Sequence, residues 1–359
     1  MKVLARCIAA LVVLAALSLP AMAQQAAPAV EAAAAEQAAP PTETPAAPAG
    51  KAEVKIGVYV NDIQSIDLHS YSFVADVYVW FRDSDPDLVP GQSFEWMNMF
   101  APDDHVQTAI YPEPQPQPDG SQYQVFRHQG PFAAKFSVKT YPFDAHELKI
   151  EIEDQEWNAD RLVYVADAVT MNPNIDLPGF VIGKPRLEVI PKAYPTSFGD
   201  LSLAHPESYS RAVVSIPISR PVLSGITKSL LPVFIVVLVA AAALLLSPEH
   251  IEARVGLSIT ALLTLVALQF SAQASLPDVG YLLMLDQVYL ASYGFVLLVV
   301  ALLVMTTHDE DKAQQTGAEV VARGGPITAF LAVLLYAAII GTLLYLNLTA
   351  MAPEPALTT

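Results

Sequence analysis

A chain of 359 residues that is 53% hydrophobic yet carries a net charge of −17, with a mean hydropathy of +0.40, cannot be one uniform soluble domain. Charge and apolarity on that scale must occupy different regions. The acidic balance gives no reason to expect a nucleic-acid partner, and a single cysteine, Cys7, leaves no disulfide to form.

The order of parts is readable from the N-terminus. Residues 1–23 hold Lys2 and Arg6, an apolar run from Ile8 to Leu19 and the small-residue ending Ala21-Met22-Ala23, the pattern of a secretory signal peptide. Residues 24–52 are Ala, Pro, Glu and Thr with no aromatic residue and read as a disordered tether, because they offer too little apolar surface to offset chain entropy.

Residues 53–220 contain 24 Asp/Glu against 12 Lys/Arg, a net of −12. Their short alternating runs, "SFVADVYVWF", "ELKIEIE", "RLEVI" and "RAVVSIPIS", are separated by Pro, Gly, Asn and Asp clusters. That pattern predicts an antiparallel, immunoglobulin-like β-sandwich. In the first run Phe73, Ala75, Val77, Val79 and Phe81 share one face. The stretch "TYPFDAHELKIEIED" puts a tight turn in front of a strand: Pro142 fixes one φ and tolerates a cis bond, Phe143 offers an anchor, and Asp144 can bond its own backbone. Leu148, Ile150 and Ile152 then alternate with charged residues, the mark of a half-buried strand.

Beyond Arg220 the character changes. Four apolar segments, about 222–246, 255–274, 288–307 and 327–348, each approach the ~20 residues that span a bilayer. Together they predict an all-α membrane domain over 221–349, with 350–359 as a tail. With the sandwich exported, the turn from Ser247 to Arg254 and the loop beginning at His308 fall inside the cell. The positive-inside bias is feeble, so orientation rests mainly on the signal peptide.

The second span differs from the others. Ser247-Pro248 suits an N-cap and first helical position. At helical spacing one stripe runs Glu252, Gly256, Thr260, Leu263, Ala267, Phe270 and Ala274. Facing an axis shared by several copies, it would make an acidic ring, a polar constriction and an apolar gate that closes by dewetting. Ser and Thr also hydrogen-bond within membrane bundles, and Glu252 near a helix N-terminus is favoured by the dipole whatever it does. The residues alone therefore leave two readings, a conducting channel and a membrane-anchored sensor or adhesion module that does not conduct. No Gly-rich phosphate loop, CxxC, HExxH or GxSxG is present, and His69, His105, His128, His146 and His205 lack metal-ligand spacing. No enzyme, cofactor or metal site is expected.

The sandwich, "YPFD" before a strand, Arg220, "LLP" in the first span, "SPEHIEARVGLSIT" opening the second, "SLPDVGYLLMLDQ" leading to the third and a lone fourth span together resemble the pentameric ligand-gated ion channels (the Cys-loop receptor superfamily). The likeness is closest to prokaryotic members, since Ala134 and Leu148 stand where animal members carry the loop cysteines. It covers nearly all of Val54 to Leu348. It implies a homopentamer in a bacterial inner membrane, with the sandwich in the periplasm, passing monovalent cations when a small extracellular ligand, an amine or a proton, opens it. It also implies that Pro142, Phe143 and Asp144 press toward Ser275, Leu276, Pro277 and Asp278, with Arg220 at the same junction. In the second span it makes Glu252 the inner ring, Thr260 a hydroxyl ring, Leu263 the central gate and Ala267 with Phe270 the outer constriction. Gly256 departs from the polar residue usual at that level, and Arg254 lies within a turn of Glu252, which weakens the cation assignment. Between neighbouring sandwiches the resemblance implies a ligand site drawing on Trp96, Trp157, Tyr194, Phe198 and Tyr209, with Asp76 and Tyr78 from the opposing subunit. Trp80 is expected to serve the fold.

Overall fold

The computed structural model describes residues 51–85, 87–199, 207–316 and 325–349; the expected signal peptide, nearly all of the tether and the tail lie outside them. Eleven strands come first: β1 (Ala52–Asp67), β2 (Ser72–Asp83), β3 (Phe94–Trp96), β4 (Val106–Ala109), β5 (Gln115–Pro116), β6 (Gln122–Ala133), β7 (Ala145–Asp154), β8 (Leu162–Met171), β9 (Val181–Ile182), β10 (Arg186–Ala193) and β11 (Ser208–Ser219). One sheet runs β4-β6-β2-β1-β8 with β5 on β6, and the other β10-β11-β7-β3 with β9 on β11.

Strict alternation builds the interior. Phe73, Ala75, Val77, Val79 and Phe81 of β2 are buried, as are Leu148, Ile150 and Ile152 of β7 and Ala212, Val214 and Ile216 of β11. These inward faces join in one core, because period-2 patterning gives each strand a single apolar side. The sheets are not wholly antiparallel as expected: β1 and β8 pair in parallel. That pairing needs a long crossover, and the chain supplies it by passing through the opposite sheet between the two strands.

Four helices follow, each long and apolar enough to cross a membrane: α1 (Val222–Ala242), α2 (Ile251–Gln273), α3, of which Met284–His308 is the apolar span, and α4 (Pro326–Thr349). α2 and α3 begin before their apolar windows, since polar first turns such as that holding Glu252 are helical without being hydrophobic, whereas α1 ends at Ala242, short of its window. Within α1 a π turn occupies Ile226–Leu230, directly before Pro232. Proline has no N–H and crowds the carbonyl four residues back, and a widened turn relieves both problems. Ser247 holds the N-cap position of a 3-10 turn that leads into α2, but its hydroxyl makes no capping bond.

α2 packs against α1 and α3, and α4 against α3 and α1. Their shared interior centres on residues such as Val237, Leu265, Phe295, Val299 and Tyr336. Three polar pairs cross between helices: Ser292 with Tyr336 at 2.8 Å, the Tyr293 hydroxyl to Gln269 at 2.6 Å and the Asn347 amide to Gln287 at 3.0 Å. In an apolar bundle such bonds fix rotation about the helix axes.

Candidate ligand site, junction and pore face

At one end of the five-stranded sheet three aromatic rings meet. Tyr194 follows β10, Phe198 sits at a left-handed position (φ 54°) in the loop beyond, and Tyr209 opens β11. Their centroids lie 5.4 Å (Tyr194 to Phe198) and 5.9 Å (Tyr194 to Tyr209) apart, edge to face, the arrangement ring quadrupoles favour. The loop that carries Trp157 is tied to the same place, through Asn158 to Glu207 at 2.7 Å and the Ala159 N–H to the Ser208 carbonyl at 2.7 Å. Trp157 itself stacks under Arg161, 5.6 Å from its ring centre.

Carboxylates back these rings. The Tyr194 hydroxyl donates to Glu153 at 2.9 Å and accepts from Arg211 at 2.9 Å, and Arg211 also bonds Glu151 and Glu153. The Tyr209 hydroxyl donates to Glu207 at 2.9 Å; burial and this bond push its phenol up to about 12. Arg211, Glu151, Glu153 and Glu207 were not singled out from sequence. Their signal was weak, since charged residues on the outer face of an alternating strand read as ordinary solvated positions.

Trp96 stands apart from this cluster. It is buried in the sandwich core, 4.4 Å from the His128 ring, with its indole N–H donating to Gln107 at 2.8 Å. Asp76 and Tyr78 lie on the outer face of the six-stranded sheet. Asp76 accepts from Arg127 and from Asn61, bonds that outweigh burial and hold its carboxyl below the ordinary value. Arg127 also covers the Tyr78 ring at 5.6 Å. Trp80 lies over Gly57, where a Cβ would come within 2.1 Å of its ring, and its N–H donates to Asp167 at 2.9 Å.

At the other end of the sandwich, Asp144 is fully buried. One oxygen accepts from Arg220 Nε at 2.8 Å, the other faces His146 Nε2 at 2.6 Å, and the Asp144 carbonyl accepts the Arg220 N–H at 3.1 Å. The guanidinium also lies over Phe180 (4.4 Å) and Tyr141 (5.1 Å). Arg220 lies two residues before α1, with Pro221 between them, so the carboxylate in the turn before β7 holds the chain where it enters the first helix. The Tyr141–Pro142 peptide is cis.

The turn's own membrane-side contact is with α1. A Cβ on Gly225 would come within 2.9 Å of the Pro142 carbonyl and 3.0 Å of the Phe143 ring. The link between α2 and α3 is engaged by other parts of the sandwich. Leu276 and Leu283 are buried in the sandwich core, Val279 packs against it, and Pro277 is buried. The Met284 N–H donates to the Lys139 carbonyl at 2.9 Å, and His69 Nε2 approaches the Ala274 carbonyl at 3.4 Å. Beside the turn, Lys139 thus holds the start of α3, and Tyr141 packs against both cores.

Along α2 the two faces separate cleanly. Arg254, Ser258, Ala261 and Leu265 are buried against the other helices. Glu252, Gly256, Thr260, Leu263, Ala267 and Phe270 are all exposed in the single chain, Leu263 by 63% and Phe270 by 70%. Arg254 therefore lies on the opposite side from Glu252, with its Nε donating to the Ala243 carbonyl at 3.1 Å.

No protein-family model matches the chain. It is similar to the γ-aminobutyric acid receptor subunit beta of Lymnaea stagnalis, 29% identical over 182 residues, which is 50% of this chain and 34% of that protein. It is also similar to subunit beta-4 of Gallus gallus, 24% identical over 185 residues (50% and 36%). Subunit alpha-2 of Bos taurus is 24% identical over 191 residues (50% and 39%). The chain spans little more than a third of the length of these curated relatives. The described residues form a β-sandwich followed by four helices long and apolar enough to cross a membrane, and the proteins to which the chain is similar are γ-aminobutyric acid receptor subunits.

Proposed function

We propose that this chain assembles as a homopentamer around α2 and conducts monovalent cations when a small extracellular amine binds between neighbouring sandwiches. The carrying observation is the α2 stripe. Six residues that would grade from acidic through hydroxylic to bulky apolar are exposed together, opposite a face already used for packing. A single copy gains nothing from Leu263 and Phe270 on an outer face that also carries Glu252 and Thr260, whereas five copies would enclose a pore with an acidic inner ring and a hydrophobic gate. Burial of Arg254 removes the cation that would have opposed Glu252, which supports cation passage.

For the ligand, Tyr194, Phe198 and Tyr209 offer ring faces beside Glu153 and Glu207, chemistry that suits an ammonium group. The relatives are named for γ-aminobutyric acid, which carries one. Trp157 lies on the adjoining loop. Asp76 and Tyr78, on the other sheet, contribute only if a neighbouring subunit brings that sheet against the cluster. Pro142, Phe143, Asp144, Arg220, Leu276 and Pro277 would pass the binding signal to α2.

Purified protein in a planar bilayer tests the proposal. Single-channel currents whose reversal potential follows the sodium gradient, from complexes that cross-link to five and no further, are the expected result. A well-assembled oligomer that passes no current under a panel of small amines overturns it and leaves the non-conducting sensor.

A further inference from the structure

Two histidines far apart in sequence meet in the sandwich. His105 ends the short turn Pro102–Asp104 and lies over Gly130 of β6; His128 is on β6 itself, facing the core and 1% exposed. His105 Nδ1 is 2.8 Å from His128 Nε2. The outer nitrogens of the pair each face an oxygen: His105 Nε2 the Phe100 carbonyl at 2.9 Å, and His128 Nδ1 the Gln107 Oε1 at 3.2 Å. That amide oxygen already accepts the Trp96 N–H at 2.8 Å, which fixes the orientation of the amide and makes it an acceptor.

Counting protons then decides the charge. A carbonyl at each end requires a proton on both outer nitrogens, and the inner contact requires one more, shared between the rings. That makes three protons on two imidazoles, one more than two neutral rings carry. A neutral pair must leave one outer nitrogen presenting its lone pair to an oxygen, an arrangement that costs a buried hydrogen bond.

We propose that His105 and His128 form a proton-binding site that takes up a single proton as a shared imidazole–imidazolium pair, fastening the turn before β4 to β6. A second proton would set two N–H donors against each other across the 2.8 Å inner contact, and burial with the neighbouring His105 also pushes the His128 imidazole down, to about 4. The pair thus titrates as a unit of one proton. Its charged surroundings are few. Asp103 and Asp104 adjoin His105 on its own turn, and Asp67, at the end of β1, lines with Asp104 a cavity of about 640 Å³ beside the turn. Arg127 and Asp76 on the outer face of β6 and β2 are committed to each other. From β3 and β2 the pair meets Trp96 and Val77, and from elsewhere in β6 Phe132 and Gly130, all uncharged. The site stands whether or not the chain conducts.

Trp96 reports on it, because its ring lies 4.4 Å from His128 and an imidazolium quenches indole emission. Fluorescence of the full-length protein in lipid nanodiscs, titrated from about pH 8.5 to about pH 5 around the ordinary histidine range, should show one reversible step with the steepness of a single proton. The loss should not exceed the share of one tryptophan in three. The step should vanish in Trp96→Phe. In His105→Gln it should move below the titrated range, because the proton would then have to reside on buried His128 alone. Absence of a step in the parent, or an unmoved step in His105→Gln, overturns the proposal. Should His105→Gln not assemble, Trp96→Phe decides, since a step that survives loss of the reporter arises elsewhere.

Discussion

Arg220 and Asp144 make two bonds, side chain to side chain at 2.8 Å and backbone N–H to carbonyl at 3.1 Å, and so lock the chain two residues ahead of α1 to the turn before β7. Asp144 is fully buried and the guanidinium 21% exposed. Removing one member of such a pair costs about 3 kcal/mol, the low end for buried pairs because one partner is partly hydrated. Asp144→Asn should therefore lower the melting temperature, and Arg220→Gln on that background should add little. Strict additivity in the double-mutant cycle would show that the contact carries no coupling. If the junction transmits opening, Asp144→Asn channels that still bind ligand should open less often.

Gly225 tests the same junction from the membrane side. Gly225→Ala pushes a methyl into the Pro142 carbonyl and the Phe143 ring, and overpacking of this kind costs about 1–3 kcal/mol. Phe143→Leu should recover part of that loss, since it vacates one of the two obstacles. Thermal melts of the two single variants and the double variant decide it. No recovery would assign the whole cost to the backbone contact.

On α2, Leu263→Ser should hydrate the apolar segment and raise resting current, while Glu252→Gln should reduce cation preference more than Glu249→Gln. Arg254→Gln should leave the sign of selectivity unchanged but impair assembly, because it removes the bond to Ala243. Reversal potentials in asymmetric salt distinguish these outcomes. Equal effects of Glu252→Gln and Glu249→Gln would mean that the stripe is rotated from the axis.

A fourth expectation concerns pH. Asp83, 5% exposed, has an oxygen with no hydrogen-bond partner among the described residues, and burial raises its carboxyl to about 6. An unfolded aspartate titrates near ~3.9. The folded protein therefore holds this proton more tightly, so stability falls as pH rises from about 4 to about 6 and the penalty is complete above that. Asp83→Asn should stabilise the protein at pH ~8 by about 3 kcal/mol and leave it unchanged near pH ~4. A uniform shift at both pH values would point to packing instead.

Much of the fold was legible because two periods carry it. The alternation of Phe73 to Phe81 and of Leu148 to Ile152 marked the inward faces, and the apolar windows marked the helices. What escaped were contacts assembled across the fold. His105 and His128 carry no shared motif, and they meet only because β4 pairs with β6. His146 stands two residues from Asp144, a spacing that strand alternation explains, yet nothing local announced that both would be buried together. Gly225 looked like any small residue in a membrane helix, because its constraint comes from a turn 80 residues earlier. The turn was expected to press on the link after α2; the contacts described for it are with Arg220 and, at Gly225, with α1.

The bond from Arg254 to the Ala243 carbonyl has a mechanical meaning. It satisfies an acceptor just past the last turn of α1 with a donor from the first turn of α2, so the two helices are fastened to each other at the ends that their short connection joins. Motion imposed from outside would then swing both helices about a common inner pivot, and spin labels at their outer ends should separate more than labels near Arg254.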